Sequence, residues 1–319
     1  MDLTLNADQK DLRAALRDWL ADAWTPDRLR AASDGAPFDR AAWKALAEMG
    51  VFAVTLPEDE GGMGLGTADA VILFEELGRA LVPGPVTGTF LAAGLVPGAA
   101  EGDAIVTLLD TRDALQVIEH PQAATHLVVI DDDGLFLLPV PPAEPASLPL
   151  DPLTPVARVS VRVEDGERIG TVEDAARWRL LGAVLTASLQ VGAAQGALDL
   201  AVRYAKERTQ FDRTIGSFQA VKHLLAESLV RTDLARAATL VAALVADDPG
   251  SGDLREASST AKLLADDAAA GNGRTGIQVH GGMGFTWEVL AHLYLKRAWV
   301  RETVFGTAGD HAEHLAAAF

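Results

Sequence analysis

The sequence predicts a mainly α-helical chain with a small central β module, and three observations carry that expectation. Alanine and leucine dominate while aromatic residues make up only 6%, a composition that favours helices over sheets. Long stretches at both ends space their apolar residues for one helical face. Between them, from about 101 to 170, short apolar runs stand between turn residues. Like elements are therefore segregated, with no alternating βαβ units. We place the segments at 1–98 (helical), 99–170 (β module) and 171–319 (helical bundle).

Asn6 followed by Gln9 resembles a capping box that opens a first helix, with Leu12, Leu16, Trp19, Leu20 and Ala23 on one face and Pro26 at its end. A second helix is expected from about 39 to 49, with Gly50 at the C′ position. VFAVTLPEDEGGMGLG is turn-rich, and TADAVILFEELGRAL follows as a third helix. Gly61, Gly62, Gly64 and Gly66 invite a phosphate-loop reading, but no Lys-Ser or Lys-Thr follows them, which leaves a corner. Pro83 and Pro85 close the helical block near residue 90.

AIVTLL, HLVVI and LFLL read as short strands, and Asp133-Gly134 is a hairpin signal. Val159, Val161 and Val163 alternate with polar residues as a half-buried strand does. Seven prolines from Pro139 to Pro155 break any long ladder. Helical periodicity then returns from about 173 to 207, 217 to 246 and 253 to 270, with shorter helices near 287–301 and 303–318. The run 181–198 approaches a membrane span in length, but Thr186, Ser188, Gln190 and Gln195 punctuate it, as in a helix buried among helices.

Composition narrows the function. A net charge of -18 argues against nucleic acid and anionic membranes as partners. The absence of cysteine excludes disulfides, thiolate metal sites and Cys nucleophiles. The N-terminus shows no basic or apolar signal pattern, so a cytoplasmic location is expected. GNGRTG at 271–276 matches the dinucleotide fingerprint by letters, yet it follows an alanine-rich helix where the fingerprint needs a strand. His311 and His314 stand one turn apart beside Asp310 without a third ligand at metal spacing, and no Gly-x-Ser-x-Gly elbow exists. No metal is expected.

Two stretches remain. In KERTQFDRTIGSFQAVKH, 206–223, one helix ends and another begins, with Arg208 closing the first and Gln219 in the first turn after Ser217, a candidate N-cap. A guanidinium and an amide beside a helix N-terminus suit a pyrophosphate; the alternative is a solvated surface corner. In IQVHGGMGFT, 277–286, Gln278 precedes Gly281, Gly282 and Gly284, a glycine density that lets backbone approach a ligand; the alternative is a turn needing positive φ.

Together with Arg208, Phe211 and Gln219, this stretch resembles the acyl-CoA dehydrogenase family, flavoenzymes that oxidise the α,β bond of a CoA thioester. The resemblance covers nearly the whole chain, through LPEDEGGMGLG, ALDLAVRYAKERTQF, FQAVKHLLAE, QVHGGMGFTWE and HLYLKRA. It implies a family fold with an N-terminal helical domain, a β domain and a C-terminal four-helix bundle. It also implies that Arg208, Gln219, Gln278, Gly281 and Gly282 grip the AMP and pyrophosphate end of an FAD held by a neighbouring subunit. Phe211 would line that contact, and Val279 and His280, within the same Gln-x-x-Gly-Gly run, are expected to be cofactor-binding residues too.

The chain departs from the family where chemistry is done. The usual base is a Glu in Tyr-Glu-Gly-Thr; here the run is Val304-Phe305-Gly306-Thr307, and Phe305 accepts no proton. The family's other base position falls near Gly182 or Ala183. Glu302 and Asp310 are close in sequence, but a helix turns them to other faces. The β module looks shortened and lacks the Thr-Glu-x-x-x-Gly-Ser run that holds a flavin ring. The resemblance therefore implies a base-less subunit of an α2β2 heteromer that shares FAD with a second acyl-CoA dehydrogenase-like subunit. Its substrate would be a bulky acyl-CoA such as a steroid-derived one, and its electron acceptor an electron-transfer flavoprotein. The alternatives are a self-sufficient dehydrogenase with Glu302 or Asp310 as a displaced base, and a flavin-free scaffold.

Overall fold

The computed structural model describes residues 3–35, 38–113, 115–143, 145–146 and 148–318; the outer ends of the expected segments, 1–2 and 319, lie outside them. Helix α1 (Ala7–Ala23) opens on the expected capping box, with the Gln9 N–H donating to Asn6 Oδ1 at 2.8 Å and the Asn6 N–H to Gln9 Oε1 at 3.1 Å. Pro26 does not simply end a helix. It is the first residue of α2 (Pro26–Asp34), where its fixed φ and missing N–H fit the first turn, and Thr25 caps it. Helix α3 (Arg40–Glu48) is capped by Asp39, and Gly50 beyond it takes φ 78°. Helix α4 (Thr67–Arg79) follows the glycine corner, and Pro85 likewise precedes a short α5 (Val86–Ala92), where the sequence suggested the block was closing.

The β module holds β1 (Val106–Asp110), β2 (Val117–Glu119), β3 (His126–Asp131), β4 (Gly134–Pro139), β5 (Val156–Arg158) and β6 (Glu167–Gly170). One sheet runs β1-β3-β4-β6, parallel between β1 and β3 and antiparallel elsewhere; β2 and β5 form a separate pair. The Asp133-Gly134 turn joins β3 and β4 as expected. The strand expected over Val159, Val161 and Val163 is shorter. Its ladder stops at Arg158, with one further bond from the Val159 N–H to the Gln116 carbonyl at 3.0 Å, and the valines pack against Leu109, Ile118 and Leu127. Their alternation records burial rather than pairing.

The bundle is built on α6 (Val172–Glu207), α7 (Gln219–Asp247), α8 (Leu254–His280), α9 (Ala291–Arg301) and α10 (Ala308–Ala317), with a small hairpin of β7 (Thr209–Gln210) and β8 (Arg213–Thr214) between α6 and α7. By length and composition α6 could cross a membrane, but 83% of its most apolar window is buried inside the protein. It is the spine of the molecule. A Cβ on Gly192 would stand 1.9 Å from the Glu75 carbonyl oxygen, and one on Gly78 2.1 Å from that of Leu189, so α4 and α6 touch backbone to backbone. At its N-terminal end, Arg179 holds Asp110 of β1 through two hydrogen bonds of 2.8 and 2.9 Å.

Helix α8 runs ten residues past its expected end, straight through GNGRTG. Gly273 there is a packing residue: a Cβ on it would lie 2.9 Å from Leu295 Cα. Buried Asn272 beside it donates to the Ala194 and Ser228 carbonyls at 3.1 Å and to Thr232 Oγ1 at 2.8 Å, joining α8 to α6 and α7.

One side chain fastens the parts. Arg297 of α9, wholly buried, pairs with buried Asp151 and donates to the carbonyls of Val82 (3.2 Å) and Leu81 (3.4 Å) beyond α4. Asp151→Ala is expected to cost about 3–5 kcal/mol, because it strands a buried guanidinium. In urea unfolding, Asp151→Leu combined with Arg297→Met should recover most of that loss; a double variant as unstable as the single one would show that the charge pair is not the fastening.

Candidate functional site

The ends of α6 and α8 and the start of α7 meet on a small core of Ala201, Ala205 and Val279, flanked by Tyr204, Ile215, Val221 and Leu225. The polar groups predicted as a nucleotide site stand around it. Arg208 is the C-cap of α6, in extended conformation; its N–H donates to the Tyr204 carbonyl and its own carbonyl accepts from Ile215 N–H, both at 2.8 Å. Those backbone bonds fix where the guanidinium leaves the helix. The side chain is exposed, and no partner is recorded for it among the described residues.

At the tip of the β7–β8 hairpin, Phe211 (φ 52°) and Asp212 (φ 59°) form a two-residue turn in the left-handed region, and the Phe211 ring is 86% exposed. It stands edge-on to Phe218 at 6.2 Å, and Arg213 covers the Phe218 ring at 4.0 Å. Ser217 is not the N-cap of α7, because its hydroxyl donates to the Thr214 carbonyl at 2.7 Å. The cap is Phe218, which has no side-chain acceptor to offer, so the first amides of α7 have no side-chain cap. Gln219, the first residue of α7, is exposed beside them.

From α8, Gln278 points to solvent while Val279 and His280 are buried. The last two serve as supports. Val279 fills the small core, and the His280 ring stacks on Tyr204 at 4.3 Å with Nδ1 donating to the Gly276 carbonyl at 2.7 Å. Burial lowers the His280 pKa, with Arg203 adding to the effect. Gly281 has φ 59°, and a Cβ on Gly281 or Gly282 would meet nothing within 4 Å. Three free donor side chains, a helix start without a side-chain cap and an open Gly-Gly backbone suit the pyrophosphate of a dinucleotide. A cleft of about 440 Å³ opens behind Tyr204 and His280, but its four arginines are matched by four carboxylates, so it selects no anion.

The base position lies at the other end of α6. Phe305 (φ 57°) and Gly306 (φ 100°) form a left-handed turn between α9 and α10. His311 Nε2 donates to the Phe305 carbonyl at 3.1 Å; its Nδ1 therefore accepts from Ser259 Oγ at 3.2 Å. Lys262, wholly buried, lies 3.4 Å from the carbonyls of Glu302 and Gly306 and 2.6 Å from Asp266. Gln190 donates to Asp266 at 2.9 Å and to the Ala298 carbonyl at 3.0 Å. Reading by residue type misses this polar mount; its one local sign is the Lys262–Asp266 spacing of four on an alanine-rich helix.

The two alternative acids are placed differently. Asp310 accepts from the Thr307 N–H (2.8 Å) and hydroxyl (2.7 Å) as part of the α10 capping box, and these bonds hold its pKa down. Glu302 caps the end of α9, where burial and then Asp266 raise its pKa.

Comparison with known proteins matches this chain to two family descriptions, "Acyl-CoA dehydrogenase, N-terminal domain" over residues 6–99 and "Acyl-CoA dehydrogenase, C-terminal domain" over residues 179–319. Acyl-CoA dehydrogenase IpdE2 of Mycobacterium tuberculosis is 35% identical over 93% of this chain and 92% of its own length. Among solved structures, a variant of the Tcur3481-Tcur3483 steroid ACAD superposes with a TM-score of 0.86 at 25% identity, covering 98% of each chain. The ChsE4-ChsE5 complex from Mycobacterium tuberculosis gives 0.82 at 23% identity, covering 99% of this chain and 98% of that one.

The mount of the Phe305 turn has a pH signature. Burial, reinforced by Lys262, depresses the His311 pKa from 6.5 to about 4. Below pH 6.5 the unfolded chain takes up a proton that the folded chain refuses until about pH 4, so this contribution to stability is lost as pH falls through that window. Between pH 6.5 and 5 the loss is about 1.5 kcal/mol. In thermal or urea unfolding, His311→Asn should show a correspondingly shallower acid dependence; equal slopes would show that His311 is not the group responsible.

Proposed function

The chain belongs to the acyl-CoA dehydrogenase family, and from that premise we propose that it is the clasping subunit of a heteromeric, FAD-dependent dehydrogenase acting on a CoA thioester. The observation that carries this reading is the separation of its two sites. Arg208 and Gly182 are 26 residues apart on one helix, about 39 Å at 1.5 Å per residue. An extended flavin dinucleotide does not span that distance, so a cofactor gripped beside Arg208 presents its ring somewhere other than this chain's own base position.

In this reading the Arg208 guanidinium takes pyrophosphate oxygens through its planar fork, as no ammonium group can. The amides at the start of α7 and the open backbone at Gly281 and Gly282 supply further donors, Gln219 and Gln278 complete the shell, and Phe211 lines the contact. FAD, when bound, supplies the hydride acceptor. A second acyl-CoA dehydrogenase-like subunit supplies the cradle for the flavin ring and the carboxylate that takes the α-proton. Residues 1–98, 99–170 and 171–319 act as the helical, β and bundle domains. The likeness to a steroid ACAD supports a bulky, steroid-derived acyl-CoA as substrate. Electron-transfer flavoprotein as acceptor and the cytoplasm as location complete the proposal.

The chain purified alone should hold little flavin and oxidise no thioester, while the complex with its partner should hold one flavin per heterodimer. Arg208→Ala should weaken flavin retention about tenfold to a hundredfold, the weight of a charge-assisted hydrogen bond, with Gln278→Ala milder and Arg208→Lys only partly restoring. Full flavin occupancy and turnover by the isolated chain would overturn the proposal.

A further inference from the structure

The two positions from which members of the family present a base, the turn before α10 and the N-terminal half of α6, touch each other in this chain. A Cβ built on Gly182 would lie 2.3, 2.4 and 2.6 Å from three carbons of the Phe305 ring. The ring therefore lies flush on the glycine, and its other side packs toward the cluster containing Ala175 and Trp178. In this chain an aromatic ring occupies the space where those two positions meet. We infer that Phe305 is a plug that closes this chain's own acyl site, with Gly182 as its seat.

Three features show that the contact is built. A glycine inside a helix is unfavourable relative to alanine, and the three nearest atoms to the Cβ that Gly182 lacks all belong to the Phe305 ring. The plug residue holds a left-handed conformation that costs any side chain but glycine free energy, and such strain persists only where the surroundings enforce it. Here buried His311 binds the Phe305 carbonyl, and Lys262 lies 3.4 Å from the next one. A Cβ on Gly306 would lie 3.0 Å from His311 Nε2, which leaves the turn no slack to swing the ring away. The assignment of the spot as an acyl site rests on the proposed family reading; the contact itself does not.

The consequence is that a heteromer containing this chain takes one thioester per heterodimer. The test needs no partner, so it can fail or succeed independently of the shared-flavin reading, which flavin stoichiometry judges. The probe is 3-thiaoctanoyl-CoA, whose sulfur replaces the β-carbon so that no α,β double bond can form. In isothermal titration the wild-type full chain should bind none and Phe305→Gly one per chain. The glycine variant should fold, since the left-handed turn suits it, and Phe305→Ala carries the same expectation. Separately, Gly182→Ala should lower the Tm of the wild-type chain but not that of Phe305→Gly. Binding by the wild-type chain, no binding gained by either Phe305 variant, or an equal Tm loss in both backgrounds would overturn the inference.

Discussion

A guanidinium sealed away from water is the constraint on which the architecture turns. Arg297 cannot remain charged and buried unless Asp151 and the carbonyls of Leu81 and Val82 surround it. The first belongs to the proline-rich connection between β4 and β5, and the others follow α4. Satisfying one side chain therefore fixes three stretches of chain at once. The position of α9 follows, and with it Tyr294, whose hydroxyl donates to the Arg79 carbonyl at 3.0 Å, and the left-handed turn that carries Phe305.

The long helix α6 then sets the functional layout. One end meets β1 through Arg179 and Phe305 through Gly182; the other ends in Arg208. The two ends have opposite characters. Among the described residues the side chains of Arg208, Gln219 and Gln278 are exposed without a hydrogen-bond partner, and two glycines face open space. Around Gly182 the space is filled, and the polar groups nearby are bound to one another. A chain that kept its donors at one end and packed the other shut is suited to holding a cofactor whose chemistry happens elsewhere.

Much of this was legible in the sequence wherever the signal was local. The Asn6–Gln9 capping box, the Asp133-Gly134 hairpin and the long apolar periodicities each depend on residues a few positions apart, and each formed as expected. Pro26 and Pro85 misled because proline marks the first turn of a helix as readily as its stop, and the letters alone do not say which. Gly271, Gly273 and Gly276 looked like an end to α8, since whether a glycine breaks a helix or lets a neighbour in depends on a partner far along the chain. The same is true of the site. Arg208 and the Gln278 run could be picked out by residue type, but the seating of Phe305 on Gly182 joins positions 123 residues apart. Nothing short of the fold reveals that one empty-looking position explains the other.

The ring at the hairpin tip bears on how such a chain fares before assembly. Phe211 stands in water at 86% exposure on a turn too tight to fold it back, and covering a ring of that size gains about 1.5–3 kcal/mol. Until something covers it, every newly made copy carries an adhesive point. In the proposed heteromer a partner that covered this tip would gain that free energy, so making the two chains in step would keep the ring shielded.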